Sequence, residues 1–110
     1  MPDADGHGWV RVADSAPPPG SLCAVGGDAV AWTTESGVTC VVDGRCPHQW
    51  SPLAVDGVVA GEELYCTAHG WRFDVFGSGT KVNALGRRDP KADIDVIPHR
   101  VSEDGSLWTR

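Results

Sequence analysis

The sequence predicts an all-β fold built of short antiparallel strands. Three observations carry that reading. Helical periodicity is nearly absent along the 110 residues, 14 Gly and 8 Pro interrupt the chain at short intervals, and β-branched residues recur between the interruptions. Taken in order, the first strand is expected at 9–12, followed by "SAPPPG" at 15–20, a stiff connecting loop because three prolines fix its φ angles. Strands at 22–25, 29–33 and 38–42 follow, joined by "GGD" at 26–28 and "ESG" at 35–37, both of hairpin-turn composition. "AVDGVVAGEELY" reads as a hairpin, with strands at 57–60 and 63–66 turning at Gly61. Strands at 72–74 and 81–83 come next. "NALGRRDPKAD" at 83–93 is expected to be a polar, turn-rich loop whose Arg87, Arg88 and Lys91 form the one basic patch of an acidic chain. A strand at 95–101, the turn "EDG" at 103–105 and a strand at 106–109 complete the chain, and residues 1–7 are expected to fray.

The bulk numbers bound the function. A length of 110 residues fits a single domain, 1–110, and 41% apolar residues provide a core. No apolar run approaches the roughly 20 residues of a spanning helix. "MPDADGHGWV" has neither a basic region nor an apolar h-region. The expectation is a soluble, cytoplasmic monomer without membrane attachment. The net charge of −6 argues against a nucleic-acid partner and suits basic partner faces or simple solubility. Of the four cysteines, Cys23 and Cys40 read as strand thiols, a disulfide between them being disfavoured in that compartment. His7 and His99 read as plain surface residues.

The chemistry is concentrated in two short stretches. "CPHQW" sets Cys46 two residues before His48, and "CTAHGW" sets Cys66 three residues before His69, with 17 residues between the pairs. A hairpin in that spacer brings its ends together, so the two loops face each other and four ligands converge, two sulfur and two nitrogen. A single Zn²⁺ takes such a set as a tetrahedron, and a [2Fe–2S] cluster takes both Cys on one iron and both His on the other. Structural zinc sites usually draw Cys-Cys from one knuckle and His-His from the other. One Cys and one His from each loop suits a cluster whose two ends need different ligands.

The run C-P-H, a spacer of this length, then C-x-x-H-G-W-R-F-D resembles the motif of Rieske [2Fe–2S] domains. The resemblance extends through "SPLAVDG" and "GSGTKVN", and more weakly to both ends of the chain. It implies a Rieske-type fold: antiparallel sheets forming an incomplete barrel, with a small cluster-binding subdomain of two loops at about 44–82. It also implies that Cys46 and Cys66 bind the inner iron of one [2Fe–2S] cluster, and His48 and His69 the outer iron near the surface. Neutral imidazoles in place of two thiolates raise the potential above that of an all-Cys cluster. Their second ring nitrogens are free to hydrogen-bond a partner, so the His end is expected to be the electron port.

The function implied is that of a soluble Rieske-type ferredoxin. It takes one electron at a time from a flavin-dependent NAD(P)H reductase and passes it to a terminal oxygenase, and is itself not an enzyme. The alternatives are a Rieske domain fragment or stand-alone relative of a ring-hydroxylating non-haem iron oxygenase, and a structural zinc domain. High-potential Rieske proteins carry an extra Cys in each loop, and a Ser and a Tyr after the second His. Here Gln49 and Trp50, Thr67 and Ala68, and Trp71 and Phe73 stand at those places. Trp71 is expected to pack beneath the loop and Trp50 to reach a partner. With fewer donors to the sulfurs, the midpoint potential is predicted near −150 mV by redox titration; a value above about +100 mV overturns that reading.

Overall fold

The structure, a computed structural model, describes residues 8–47 and 52–110, so His48, Gln49, Trp50 and His7 lie outside the described residues. Three antiparallel sheets stack around two cores. The middle sheet has the order β2-β3-β4 and comprises β2 (Leu22–Val25), β3 (Ala29–Thr33) and β4 (Thr39–Asp43). β3 is buried along its whole length, and its alternation assigns each side chain to one core or the other. Val30 and Trp32 join Cys40, Val42, Leu53, Leu64, Trp71 and Phe73 on one face, while Ala29 and Ala31 join Val25, Val41 and Leu107 on the other.

The first face packs on a five-stranded sheet of β5 (Gly57–Ala60), β6 (Glu63–Cys66), β7 (Trp71–Phe73), β8 (Gly79–Val82) and β9 (Arg88–Lys91), in chain order. The second packs on a sheet of β1 (Val10–Ala13), β11 (Leu107–Thr109) and β10 (His99–Val101), β11 being central. The single helix among the described residues, α1 (Leu53–Asp56), runs directly into β5.

Three expectations need correction. α1 has no counterpart in the sequence reading, because one helical turn is too short to show a period. Residues 88–91 form an edge strand and not a loop; Pro90 is tolerated there because an edge strand has one row of N–H groups with no ladder partner. The expected strand 95–101 is divided at Pro98. Before it, the chain straps along β4, with Asp43 N–H donating to Asp95 O (2.9 Å) and Ile97 N–H to Val41 O (2.8 Å); after it, His99–Val101 pair with β11.

One turn recurs four times, at 34–38, 74–78, 83–87 and 102–106. In each, the first residue's N–H donates to the fifth residue's carbonyl, and the fourth residue, a Gly at positive φ, donates back to the first. This is a type I turn with a glycine bulge, and its sequence signature is Thr, Asp, Asn or Ser three residues before Gly. Asp74 Oδ1 accepts the N–H of Phe76 and of Ser78 (2.9 and 3.0 Å), and Asn83 Oδ1 accepts those of Leu85 and Arg87 (2.8 and 3.1 Å).

At Gly44 the chain passes so close to the turn between β2 and β3 that a Cβ would lie 2.2 Å from Asp28 O. Gly44 N–H donates to that oxygen, and Gly44 O accepts from Leu53 N–H (2.8 Å). The Gly44→Ala variant is therefore expected to lose about 2 kcal/mol in urea unfolding.

Candidate metal centre

Cys46 meets the second Cys/His stretch at one end of the five-stranded sheet. The first stretch leaves β4 after Asp43. It is closed at its base by an antiparallel bridge between Arg45 and Pro52 and by the Gly44–Leu53 hydrogen bond. The second is a tight loop between β6 and β7. Cys66 O accepts from Gly70 N–H (2.8 Å), and Gly70 takes the positive φ that turns the chain back into Trp71.

The β5–β6 ladder pairs Gly57 with Cys66, so the helix that follows the first stretch ends beside the start of the second. The Asp56 carbonyl there accepts both Thr67 N–H (2.8 Å) and Thr67 Oγ1–H (2.7 Å). The sequence places Thr67 where high-potential Rieske proteins carry a Cys, but does not reveal it as a fastening. Its only sequence signal was a hydroxyl adjacent to a ligand.

Three candidate ligands meet. The donor atoms of Cys46, Cys66 and His69 all lie within 4.8 Å of one another, and Cys66 Sγ lies 3.9 Å from His69 Nδ1. Both thiols are fully buried and unbridged, while His69 is half-buried. Two fully buried soft sulfurs and a half-buried imidazole fit a centre with a buried end and a solvent-side end. His48, the fourth expected ligand, is outside the described residues.

Beneath the centre, Trp71 and Phe73 are buried with ring centroids 6.4 Å apart. Trp71 therefore packs as expected, and neither side chain offers a hydroxyl to the sulfurs.

The other thiols stand apart. Cys40 is buried in the same core but outside the ligand group, and its Sγ–H donates to Val75 O (3.5 Å). Cys23 packs on the opposite face of the middle sheet, so a Cys23–Cys40 disulfide is ruled out by the pleat. Cys23 is a half-buried thiol of β2. His99 is no plain surface residue: its Nδ1 lies 2.7 Å from Ile97 O and its Nε2 3.2 Å from Thr39 O, tying the strap to β4.

A family model, the Rieske [2Fe–2S] domain, matches residues 8–98. The chain belongs to the Rieske [2Fe–2S] domain family. Its cofactor is accordingly a [2Fe–2S] cluster, and the donor set just described is compatible with one. The chain is 37% identical over 78 residues to a cholesterol 7-desaturase of Ciona intestinalis, covering 67% of this chain and 17% of that protein. It is 32% identical over 113 residues to a cholesterol 7-desaturase of Bombyx mori, covering 98% and 24%.

Among solved structures, Pseudomonas putida CBB5 NdmA with caffeine superposes with a TM-score of 0.74 at 26% identity, over 93% of this chain and 32% of that one. Dicamba monooxygenase with non-heme iron and dicamba shares the fold, with a TM-score of 0.68 at 23% identity over 92% and 32%. The chain thus spans at most about a quarter of the length of these curated relatives. No helix among the described residues is long and apolar enough to cross a membrane.

Burial raises the Cys40 thiol to about 11, against the opposing pull of the Trp32 indole and the Val41 backbone. Its contribution to stability is complete below the ordinary thiol value of 9.0 and is lost as the pH climbs toward 11. Iodoacetamide at pH 8.5 is expected to leave Cys40 unlabelled in the native protein and to label it after denaturation, read by peptide mass mapping. Native labelling would show a thiol accessible enough to compete for metal.

Proposed function

We propose that this chain is a one-electron carrier of an oxygenase system, with its cluster held by Cys46 and Cys66 at the buried end and by His48 and His69 at the exposed end. The observation that carries the reading is the convergence of two buried thiols and a half-buried imidazole within 4.8 Å. When bound, the cluster supplies a site that stores and releases a single electron.

The chain's own residues do the rest. Thr67 and the Asp56 carbonyl hold the two loops in register. Cys46 and Cys66 lie in the apolar core, where water cannot reach the sulfurs. His69 is half-buried while both thiols are enclosed, so a partner approaching from solvent meets the imidazole before the sulfurs. The Trp71 and Phe73 rings fill the space below and bring no hydroxyl to the sulfurs, which supports a potential low in the Rieske range.

In this reading a flavin-dependent NAD(P)H reductase is the donor, a terminal oxygenase is the acceptor, and the carrier is a cytoplasmic monomer folded as one domain. The chain itself performs no oxygenation. A mononuclear iron of the two-His, one-carboxylate kind needs two further histidines. Beyond the four-ligand set only His7 and His99 remain, and both ring nitrogens of His99 face backbone carbonyls. A second reading is favoured by the relatives, which are cholesterol 7-desaturases about four times longer. There this chain would be the electron-delivering part of a larger oxygenase.

The purified protein is expected to be red-brown, with two iron and two sulfide per chain and visible bands that bleach on dithionite. His48→Cys and His69→Cys should each retain a cluster and lower its midpoint, because each adds a negative charge to the site. A colourless protein holding one zinc overturns the proposal. A third iron per chain would overturn the statement that no oxygenation occurs here.

A further inference from the structure

The turn at 83–87 lies at the same end of its sheet as the metal centre. β8 pairs Lys81 with Trp71 and continues past it, beside the loop that carries His69. The Lys81 side chain runs along that loop, where a Cβ placed on Gly70 would lie 3.6 Å from Lys81 Cε. From there the chain turns, with Leu85 at the tip and 80% exposed.

Nothing in the turn requires an apolar residue at that place. Ser36 and Asp104 occupy the same position in two turns with the same backbone hydrogen bonds. Leu85 is therefore an apolar group presented to solvent by a geometry that accepts polar ones, beside the proposed electron port.

The charge around it is the reverse of the whole. Residues 71–91 hold five of the nine basic residues and only two of the fifteen acidic ones. Arg72 and Arg88 are committed to Glu63, which Arg88 engages through both carboxylate oxygens. Lys81, Arg87 and Lys91 make no ion pair among the described residues, and Lys81 and Arg87 flank the Leu85 turn.

We propose that Leu85, Lys81 and Arg87 form the docking surface for an acidic redox protein that exchanges electrons with the centre through the His69 side. An apolar contact ringed by cations fits a partner with an apolar spot inside an acidic rim. Opposite charge would steer its approach to one end of an otherwise acidic molecule, which the net charge would repel elsewhere. The inference rests on the electron-carrier reading above and adds the face used and the chemistry of the partner.

The test uses a reduced acidic plant-type [2Fe–2S] ferredoxin as the electron donor, whose potential lies below the Rieske range. One electron leaves the donor cluster and enters the oxidised cluster of this chain, and stopped-flow bleaching gives the second-order rate. That rate should fall as salt rises. It should drop about tenfold in Leu85→Ser and in the double variant Lys81→Glu, Arg87→Glu. Phe76→Ser alters the matching tip of the 74–78 turn at the opposite end of the sheet, and should leave the rate unchanged. Reduction by dithionite should be the same in all these proteins. Wild-type rates in the Leu85 and Lys81/Arg87 variants, or an equal slowing with dithionite, would overturn the docking surface and leave the carrier intact. A protein with no visible bands to bleach would overturn both.

Discussion

The site depends on one carbonyl. Asp56 O accepts two hydrogen bonds from Thr67, and so joins the end of the segment that follows the first Cys/His stretch to the beginning of the second. The β5–β6 hairpin sets the distance, and this contact sets the angle at its open end. Without it, Cys66 would be held only by the last rung of a ladder and the turn of its own loop, and ladder ends are where strands fray. Because the contact uses a backbone acceptor and a side chain adjacent to a ligand, its geometry passes to the Cys66 sulfur through a single residue.

Burial then separates the two ends of the site. Both sulfurs are enclosed by Leu53, Leu64, Trp71 and Phe73, while His69 keeps one side toward solvent. A thiolate pair in such surroundings is tolerable only with positive charge between the sulfurs, which is why buried, unbridged cysteines at this spacing point to metal. Cys40 shows the contrast. It shares the same core but faces a carbonyl, and burial keeps it a neutral thiol.

Much of this was legible in the residues. The strands at 22–25, 29–33, 57–60 and 63–66 lie where β-branched and apolar runs end at Gly, and the ligand spacing spoke for itself. The missing elements failed for physical reasons. β9 reads Arg-Asp-Pro-Lys, with no alternation to detect, because an edge strand outside the core has no apolar face to bury. α1 is one turn long and is set by the return of the first loop to Gly44. The environment of His99 depends on Thr39, sixty residues away, and no local pattern reports that. The turn at 83–87 falls within the stretch expected to be turn-rich, whereas the one at 74–78, readable in principle because Asp precedes Gly by three residues, was disguised by its large apolar tip.

The order of the sheets has a consequence for how the molecule assembles. Every neighbouring pair in the β2-β3-β4 and β5-β6-β7-β8-β9 sheets is consecutive along the chain, and all the turns between them are five residues or fewer. Only β1 with β11 joins strands distant in sequence. The entropy of closing a long loop therefore falls mainly on one pairing, far from the metal centre, while the five-stranded sheet that carries Cys66 and His69 can zip from hairpin to hairpin. The part of the chain that must recognise iron is thus the part whose folding asks least of the rest.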